Sequence, residues 1–580
     1  MEKVGLTITL FIAHAIFFLA PIQSSGQSSP HRKVKMASLS YVPVKWDKAA
    51  NMATIEQLVE EAVVGGAECI ITPEGGLEGY LINVVNRSDE PAKPDLERRF
   101  KKIAETEEGE NVLKVKDLAR KHRVDIVLGF LERDGDILYN TSAWINAQGK
   151  IIHKHRKTQM AQAYFTPEYY HPGNDIDAFD TRFGRMGIMI CYERQVPEVA
   201  SVLALAGASI ILNPSYGGRG EWNTTMLRAR ARDNAAWLIF THPKQTLVID
   251  DGGEVIVYKD HEDGPGVVFF ELPQDLAPGN KLAKRRPEVF AKKIATVVAD
   301  ENHLVPGSEI IKVASVQIHS VHSMDSNVNK MIEKIEHCAS KGVQVALFHE
   351  CATTGYYTED ILGYTEKDFI AAESRISLAC KTNGIYVVYG SPYYEQGIRY
   401  NMGIVINDQG ETIYRQAKIQ LVGGDEGWAK PGSRLSTFQI GDKTCSMIIC
   451  HDSRYPELVR LPVMKGSRLV FYMSSESNIT RESKIIPYRA QVVARAVENN
   501  VYVVQSNEAQ NFSTMEGSHG QSRIVAPDGV LLQEASISGE DVLIGELDLS
   551  ESHGGLAKKS LRSDLFKTWW EEGMKLIGTQ

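Results

Sequence analysis

Both halves of the chain alternate short apolar runs with segments in which apolar residues return every three or four positions. Val34–Ser40 and Ile311–Ile318 are apolar enough to be buried strands. Helical spacing follows over Ala49–Gly65 and Asn327–Lys341, and a second apolar run over Glu68–Thr72 and Gln344–Phe348. A further helix and strand come next, at Val112–His122 with Asp125–Leu131 and at Phe369–Lys381 with Ile385–Gly390. In the first half, Tyr139–Ile145 and Ile151–His155 predict two strands around an Asn/Gln/Gly turn. A strand enters Cys191 and Cys450, and a helix is expected to leave each. Strands and helices in alternation predict an α/β fold with sheets covered by helices.

The two halves repeat one another. The segment Tyr139–Lys157 aligns without a gap to Tyr400–Lys418, with 8 of 19 residues identical. "GIMICYERQVPEVA" aligns with "SMIICHDSRYPELV", placing Cys191 on Cys450, and "RARARDNAAWLI" aligns with "VARAVENNVYVV", placing Asp233-Asn234 on Glu498-Asn499. From the first strands onward the offsets run 277, 261, 259 and 265, so the order is kept and the gaps are small. Two homologous domains are expected, at 34–295 and 311–550, joined by a basic and then polar linker over 296–310. The remainder, 551–580, has apolar residues at mostly helical spacing and predicts a packed terminal helix.

Composition adds limits. Of 580 residues, 64 are Lys or Arg and 73 Asp or Glu, a net charge of −9. That lacks the basic excess a nucleic-acid partner calls for. Residues 1–26 show a charged start, an apolar run from Val4 to Ala20 and a small-residue segment, the layout of a secretory signal. A secreted, periplasmic or cell-envelope protein is expected, without stable membrane insertion once the signal is cleaved; an uncleaved anchor is the alternative. The seven cysteines are irregularly spaced and odd in number, which is no disulfide framework, and none has zinc-ligand spacing.

Three chemical groups recur in the same order in both halves. A glutamate follows the second strand (Glu74, Glu350), a lysine ends a later strand (Lys157, Lys418), and a cysteine stands at a strand-to-helix turn (Cys191, Cys450). A helix N-terminus favours a thiolate. The backbone N–H of the next residue, Tyr192 or His451, can help hold an oxyanion. A carboxylate can take the thiol proton and later activate water, and an ammonium can stabilise charge on the attacked oxygen or nitrogen. Arg194 and Arg454, three and four residues beyond the cysteines, are candidates to pair with a substrate carboxylate. Asn140 opens a glycosylation sequon, but it lies in a predicted strand and aligns with Asn401, and reads as structural.

The glutamate, "RK", "GxxICYxxxxPE", "GAxxxLNPS" (Gly207–Ser215) and "RAxxN" blocks together resemble the nitrilase superfamily of carbon–nitrogen hydrolases over nearly all of both halves. The resemblance implies two tandem four-layer α-β-β-α sandwiches. It implies Glu as general base, Lys as oxyanion stabiliser and Cys as nucleophile forming a thioester, with no metal or organic cofactor. A second supporting glutamate is implied before a "PG" pair, matched by Glu168 and Glu426. Tyr192 and His451 stand where nitrile-hydrolysing members carry Trp, which points to amide or N-carbamoyl substrates; nitrile hydrolysis and acyl transfer remain open. The second copy departs at His349, at "QAK" and at "YMSSES", so a first copy working alone, with the second as structural partner, is the alternative to two active sites. Members associate through one sandwich face, so a pseudo-dimer within one chain is expected, with higher assembly open.

Overall fold

The computed structural model describes residues 33–274 and 310–554, except 89–90, 162–169, 263, 477–481, 512–513 and 515, together with Leu276 and Arg286. The expected signal, most of the linker and the tail helix beyond 554 lie outside the described residues.

Each copy contains two six-stranded sheets. In the first copy, one sheet has the order Gly266–Pro273, Lys33–Ser40, Cys69–Ile71, Asp125–Asp134, Ile137–Ile145, Ile151–Arg156. The other has the order Val255–Asp260, Gln245–Ile249, Trp237–His242, Ile210–Pro214, Gly184–Ile188, Phe179–Thr181. The central pairs are parallel and the outer ones antiparallel. The second copy repeats both sheets, with Asp541–Asp548 antiparallel to Ile310–Gln317 at the edge.

Burial shows why the central strands lack polar alternation. Met36, Ile71, Val127 and Trp144 of one sheet meet Met186, Ile188, Leu212 and Ile239 of the other in a core between the sheets. The opposite face of the first sheet packs on the helices Lys48–Val64 and Glu110–His122. The second sheet packs on Pro197–Leu205 and Glu221–Asn234. Strands covered on both faces need apolar residues at successive positions, and four layers, α-β-β-α, follow in each copy.

The two copies join through their outer helices. Met226 and Ala229 of Glu221–Asn234 pack against Ala494 and Val497 of Glu482–Asn499. Small residues let these helices approach, and their ion pairs cross between copies. Arg230 reaches Glu498 at 2.6 Å, and Arg495 in return reaches Asp233 and its own Glu498. All four side chains are fully buried, so each charge depends on the others for its solvation. This exchange is the self-complementary pattern of a twofold interface, here inside one chain. One pair breaks the symmetry: Arg460 binds Glu198 at 2.9 Å, while its counterpart by sequence offset is Ser201.

Arg495→Ala leaves two buried carboxylates with one cation fewer and should cost about 3–5 kcal/mol of stability, seen as a lower urea midpoint. A loss below about 1 kcal/mol would show that the crossed pairs do not hold the copies together.

Candidate active site

In each copy the loop after the second strand carries the glutamate into the interior. The neighbouring strand passes directly beneath it. A Cβ at Gly129 would lie 2.3 Å from the Pro73 carbonyl oxygen, and one at Gly390 would lie 2.6 Å from Glu350 Cα. Glycine at these two places lets the loop close, and Glu74 and Glu350 end up buried.

Each glutamate meets the lysine that ends a strand. Lys157 Nζ lies 2.8 Å from Glu74 Oε1, and Lys418 Nζ lies 2.8 Å from Glu350 Oε1. Asn140 and Asn401 donate to the same oxygens at 2.7 Å. The other carboxylate oxygens accept the backbone N–H of Tyr216 at 2.8 Å and of Ser475 at 3.1 Å. Burial works against both ammonium groups, but Glu74 with Cys191, and Glu350 with Cys450, outweigh it and hold each lysine above its ordinary range. Asn140 is therefore more than a strand residue: it fixes the carboxylate.

Both cysteines adopt left-handed backbone, with φ of 49° at Cys191 and 45° at Cys450. A non-glycine residue there carries strain, which persists where the surroundings enforce it. The expected helix does not follow at once. A 3₁₀ turn intervenes, Cys191–Gln195 or Cys450–Arg454, and the α-helix begins at Pro197 or Glu457. Tyr192 and His451 are the first residues of those turns after the cysteines and are half-buried.

A carboxylate ties each turn to the lysine strand. Glu193 accepts the N–H groups of Ile190 and Thr158 and meets His155 at 2.7 Å. Asp452 accepts from Ile449, Ile419 and Gln420. Burial opposes ionisation of both. His155 and Thr158 overcome it at Glu193, which is held below the usual range. Gln416 replaces His155 in the second copy, and Asp452 is pushed up to about 7.

The other expected residues divide. Glu168 lies outside the described residues. Glu426 does not join the site: it is exposed, and its neighbour Asp425 turns inward instead. Successive residues on a helical turn point about 100° apart, and the short helix Gly423–Glu426 directs Asp425 to Lys418 at 2.7 Å. Asp425 also accepts from Asn401 and from Tyr356 OH. Desolvation, with Asp425 beside it, raises Glu350 above the ordinary glutamate range. Burial, with Glu350 next, likewise raises the Cys450 thiol.

Arg194 is buried against Phe240 and donates to the Gly218 carbonyl at 2.9 Å. Arg194 and Ser453 take the same place in the two turns, as the aligned cysteine blocks require. Arg230 donates to the Arg194 carbonyl and Arg495 to the Ser453 carbonyl, both at 2.8 Å, so Ser453 is the structural counterpart. Arg454 is half-buried and donates to Tyr488 OH at 2.7 Å. Sequence spacing missed Asn140, Asn401, Asp425, Tyr356, Glu193 and Asp452; the identity of Asn140 with Asn401 in the aligned "YN" pair was the available signal. Among the described residues, no group of three or more His, Cys, Asp or Glu could hold a metal ion, and none of the seven cysteines is paired.

Because Cys191 is left-handed, Cys191→Gly should be more stable than Cys191→Ala by about 1 kcal/mol in urea denaturation; equal midpoints would remove the strain. Glu78, buried beside Glu74, is raised to about 7, mainly by desolvation. A raised carboxyl contributes stability below its unfolded pKa that is lost as pH climbs toward 7. Glu78→Gln should therefore match the parent at pH 4 and exceed it at pH 8 by up to about 3 kcal/mol. Parallel pH–stability curves for the two proteins would contradict this.

The sequence profile of carbon–nitrogen hydrolases matches the chain twice, at residues 34–277 and 312–553. A citrullinase of Francisella tularensis is 30% identical over 290 residues, which is 44% of this chain and 96% of that protein. An omega-amidase of Xenopus tropicalis is 29% identical over 233 residues, 38% of this chain and 83% of its own. Among solved structures, an amidase from Nesterenkonia sp. covers 46% of this chain and 98% of its own at 22% identity, with a TM-score of 0.41. The doubled match spans most of both copies, and the chain belongs to the carbon–nitrogen hydrolase family of the nitrilase superfamily, as a tandem enzyme of the amidase/nitrilase type.

Proposed function

We propose that each copy hydrolyses an amide or N-carbamoyl bond through a cysteine thioester, with Glu74, Lys157 and Cys191 in one site and Glu350, Lys418 and Cys450 in the other. What supports this most is the meeting, twice, of a buried carboxylate and ammonium 2.8 Å apart with a left-handed cysteine at a strand end. The glutamate takes the thiol proton as sulfur attacks the carbonyl carbon. The tetrahedral oxyanion is held by the lysine ammonium and by the backbone N–H of Tyr192 or His451. The glutamate then passes the proton to the leaving nitrogen; the C–N bond breaks, and ammonia or an amine departs. Water deprotonated by the same carboxylate attacks the thioester, freeing the acid and the thiol.

Amide and carbamoyl relatives support the substrate class, and Tyr or His rather than Trp after the cysteine agrees with it. The layout of residues 1–26 supports export as part of this reading, and the crossed arginines support a chain that serves as its own dimer. Among the described residues no helix is long and apolar enough to cross a membrane.

Ammonia release from a panel of primary amides and ureides should vanish in the Cys191→Ala, Cys450→Ala double variant and persist in each single variant. Release surviving the double change would refute the cysteine mechanism. A Cys191→Ala protein that is inert, and whose Cys450 resists alkylation, would leave the first copy working alone.

A further inference from the structure

The two sites differ in one wall. The parallel registers Met186 to Ile210 and Cys445 to Leu469 align the strands that follow each cysteine strand. Along them Tyr216 and Ser475 coincide, each giving its backbone N–H to the site glutamate. The next residue is Gly217 in the first copy and Glu476 in the second. A Cβ at Gly217 would stand 3.1 Å from Cys191 Sγ. The second copy thus plants a carboxylate side chain at the position where the first has only a glycine beside the sulfur.

Glu476 is held firmly but only in part. Tyr472 OH donates to its Oε1 at 2.7 Å and accepts from the Ser453 hydroxyl at 3.1 Å, inside the nucleophile turn. Its carbonyl accepts from Ser518 and, at 3.2 Å, from His519 Nδ1. With Nδ1 donating, Nε2 of a neutral His519 is a lone-pair acceptor. Burial holds His519 below its ordinary range, which favours that neutral form. Nε2 lies 3.6 Å from Glu476 Oε2. Among the described residues neither atom has a hydrogen-bond partner, and both side chains are more than nine-tenths buried. Neither nearby arginine forms an ion pair with Glu476 among the described residues: Arg454 donates to Tyr488 OH, and Arg523 turns its Nε to the Gln521 carbonyl and Glu534 while its Nη1 stays without a partner there. Two buried acceptors that face each other without a donor are costly, and the group that satisfies both is an N–H-rich cation.

The first copy has the opposite arrangement. Ser453 is replaced by Arg194, whose Nε and Nη1 are buried donors without an acceptor among the described residues.

We propose that Glu476 and His519 form a cation-recognition subsite, so that the second site takes amides or ureides carrying a protonated amine or guanidinium, a charge class opposite to that suited to Arg194. This rests on the hydrolase reading of Cys450, because the subsite selects what reaches that sulfur. A bound ammonium donates to Glu476 and His519 and neutralises the carboxylate beside the thiol.

The test isolates the second site in full-length Cys191→Ala protein and compares 4-aminobutanamide with butanamide by ammonia release. The cationic amide should be favoured at least tenfold in kcat/KM, and the ratio should fall toward one in Glu476→Gln and in Glu476→Gly, which restores the first copy's residue. The same proteins are alkylated with 2-bromoethylammonium and with neutral iodoacetamide, and Cys450 labelling is followed by mass spectrometry. The cationic reagent should lose its relative advantage by a similar factor in both variants. Absence of turnover on every amide, with the alkylation preference intact, would sink the hydrolase reading and sustain the subsite. Ratios that do not change with Glu476, or a Cys450 that neither reagent labels, would overturn the subsite.

Discussion

Four buried charges meet at the boundary between the copies, and the placement of Cys191 and Cys450 depends on them. Arg230 binds Glu498 of the other copy through one end of its guanidinium, while its Nε holds the backbone of the turn that begins at Cys191. Arg495 does the same for the turn at Cys450 while binding Asp233. Each buried arginine is balanced by one carboxylate of its own helix and one from across the boundary. The join between copies and the support beneath each cysteine are therefore one structure. This gives a physical reason for a helix at the interface to carry an Arg-Ala-x-x-Asn block: the arginine crosses, and the asparagine closes the helix end on its carbonyl.

Within each copy the chemistry follows from burial. A lysine and a glutamate removed from water satisfy each other by facing one another, so each fixes the other's position. Asn140 or Asn401 and one backbone N–H occupy the remaining lone pairs of the carboxylate. The cysteine is held by its backbone, in a conformation that its own side chain disfavours. The second site adds Asp425 and Tyr356 to this frame, which makes it more acidic than the first within the same architecture.

Much of this was legible in the sequence because it lies close together along the chain. Apolar runs and helical spacing located the strands and helices within a few residues, since two-sided burial leaves few polar positions in a central strand. The Glu, Lys and Cys sets were visible because they end strands and recur in order. What failed depended on the rotation of a single turn. Asp425 and Glu426 are adjacent, both acidic, and separated in role only by the pitch of a four-residue helix. The register of Arg194 on Ser453, by contrast, follows from the aligned cysteine blocks, and the shared arginine contacts to both backbones agree with it. Glu476 stands in a drifted segment of the sequence, but its closeness to the sulfur is three-dimensional: at the matching place in the first copy a Cβ would crowd Cys191, and glycine stands there.

The interface also changes how substitutions are distributed. In a symmetric dimer made from two identical chains, every mutation appears on both sides of the axis and must suit both settings at once. Joining the copies in one chain removes that coupling. Arg460 can reach across to Glu198 while Ser201 occupies the reciprocal place, and Asp233 can face a glutamate of different length. Each pocket becomes free to change without altering its twin, while the pair remains locked in a fixed one-to-one ratio that no dissociation or mixed assembly can disturb.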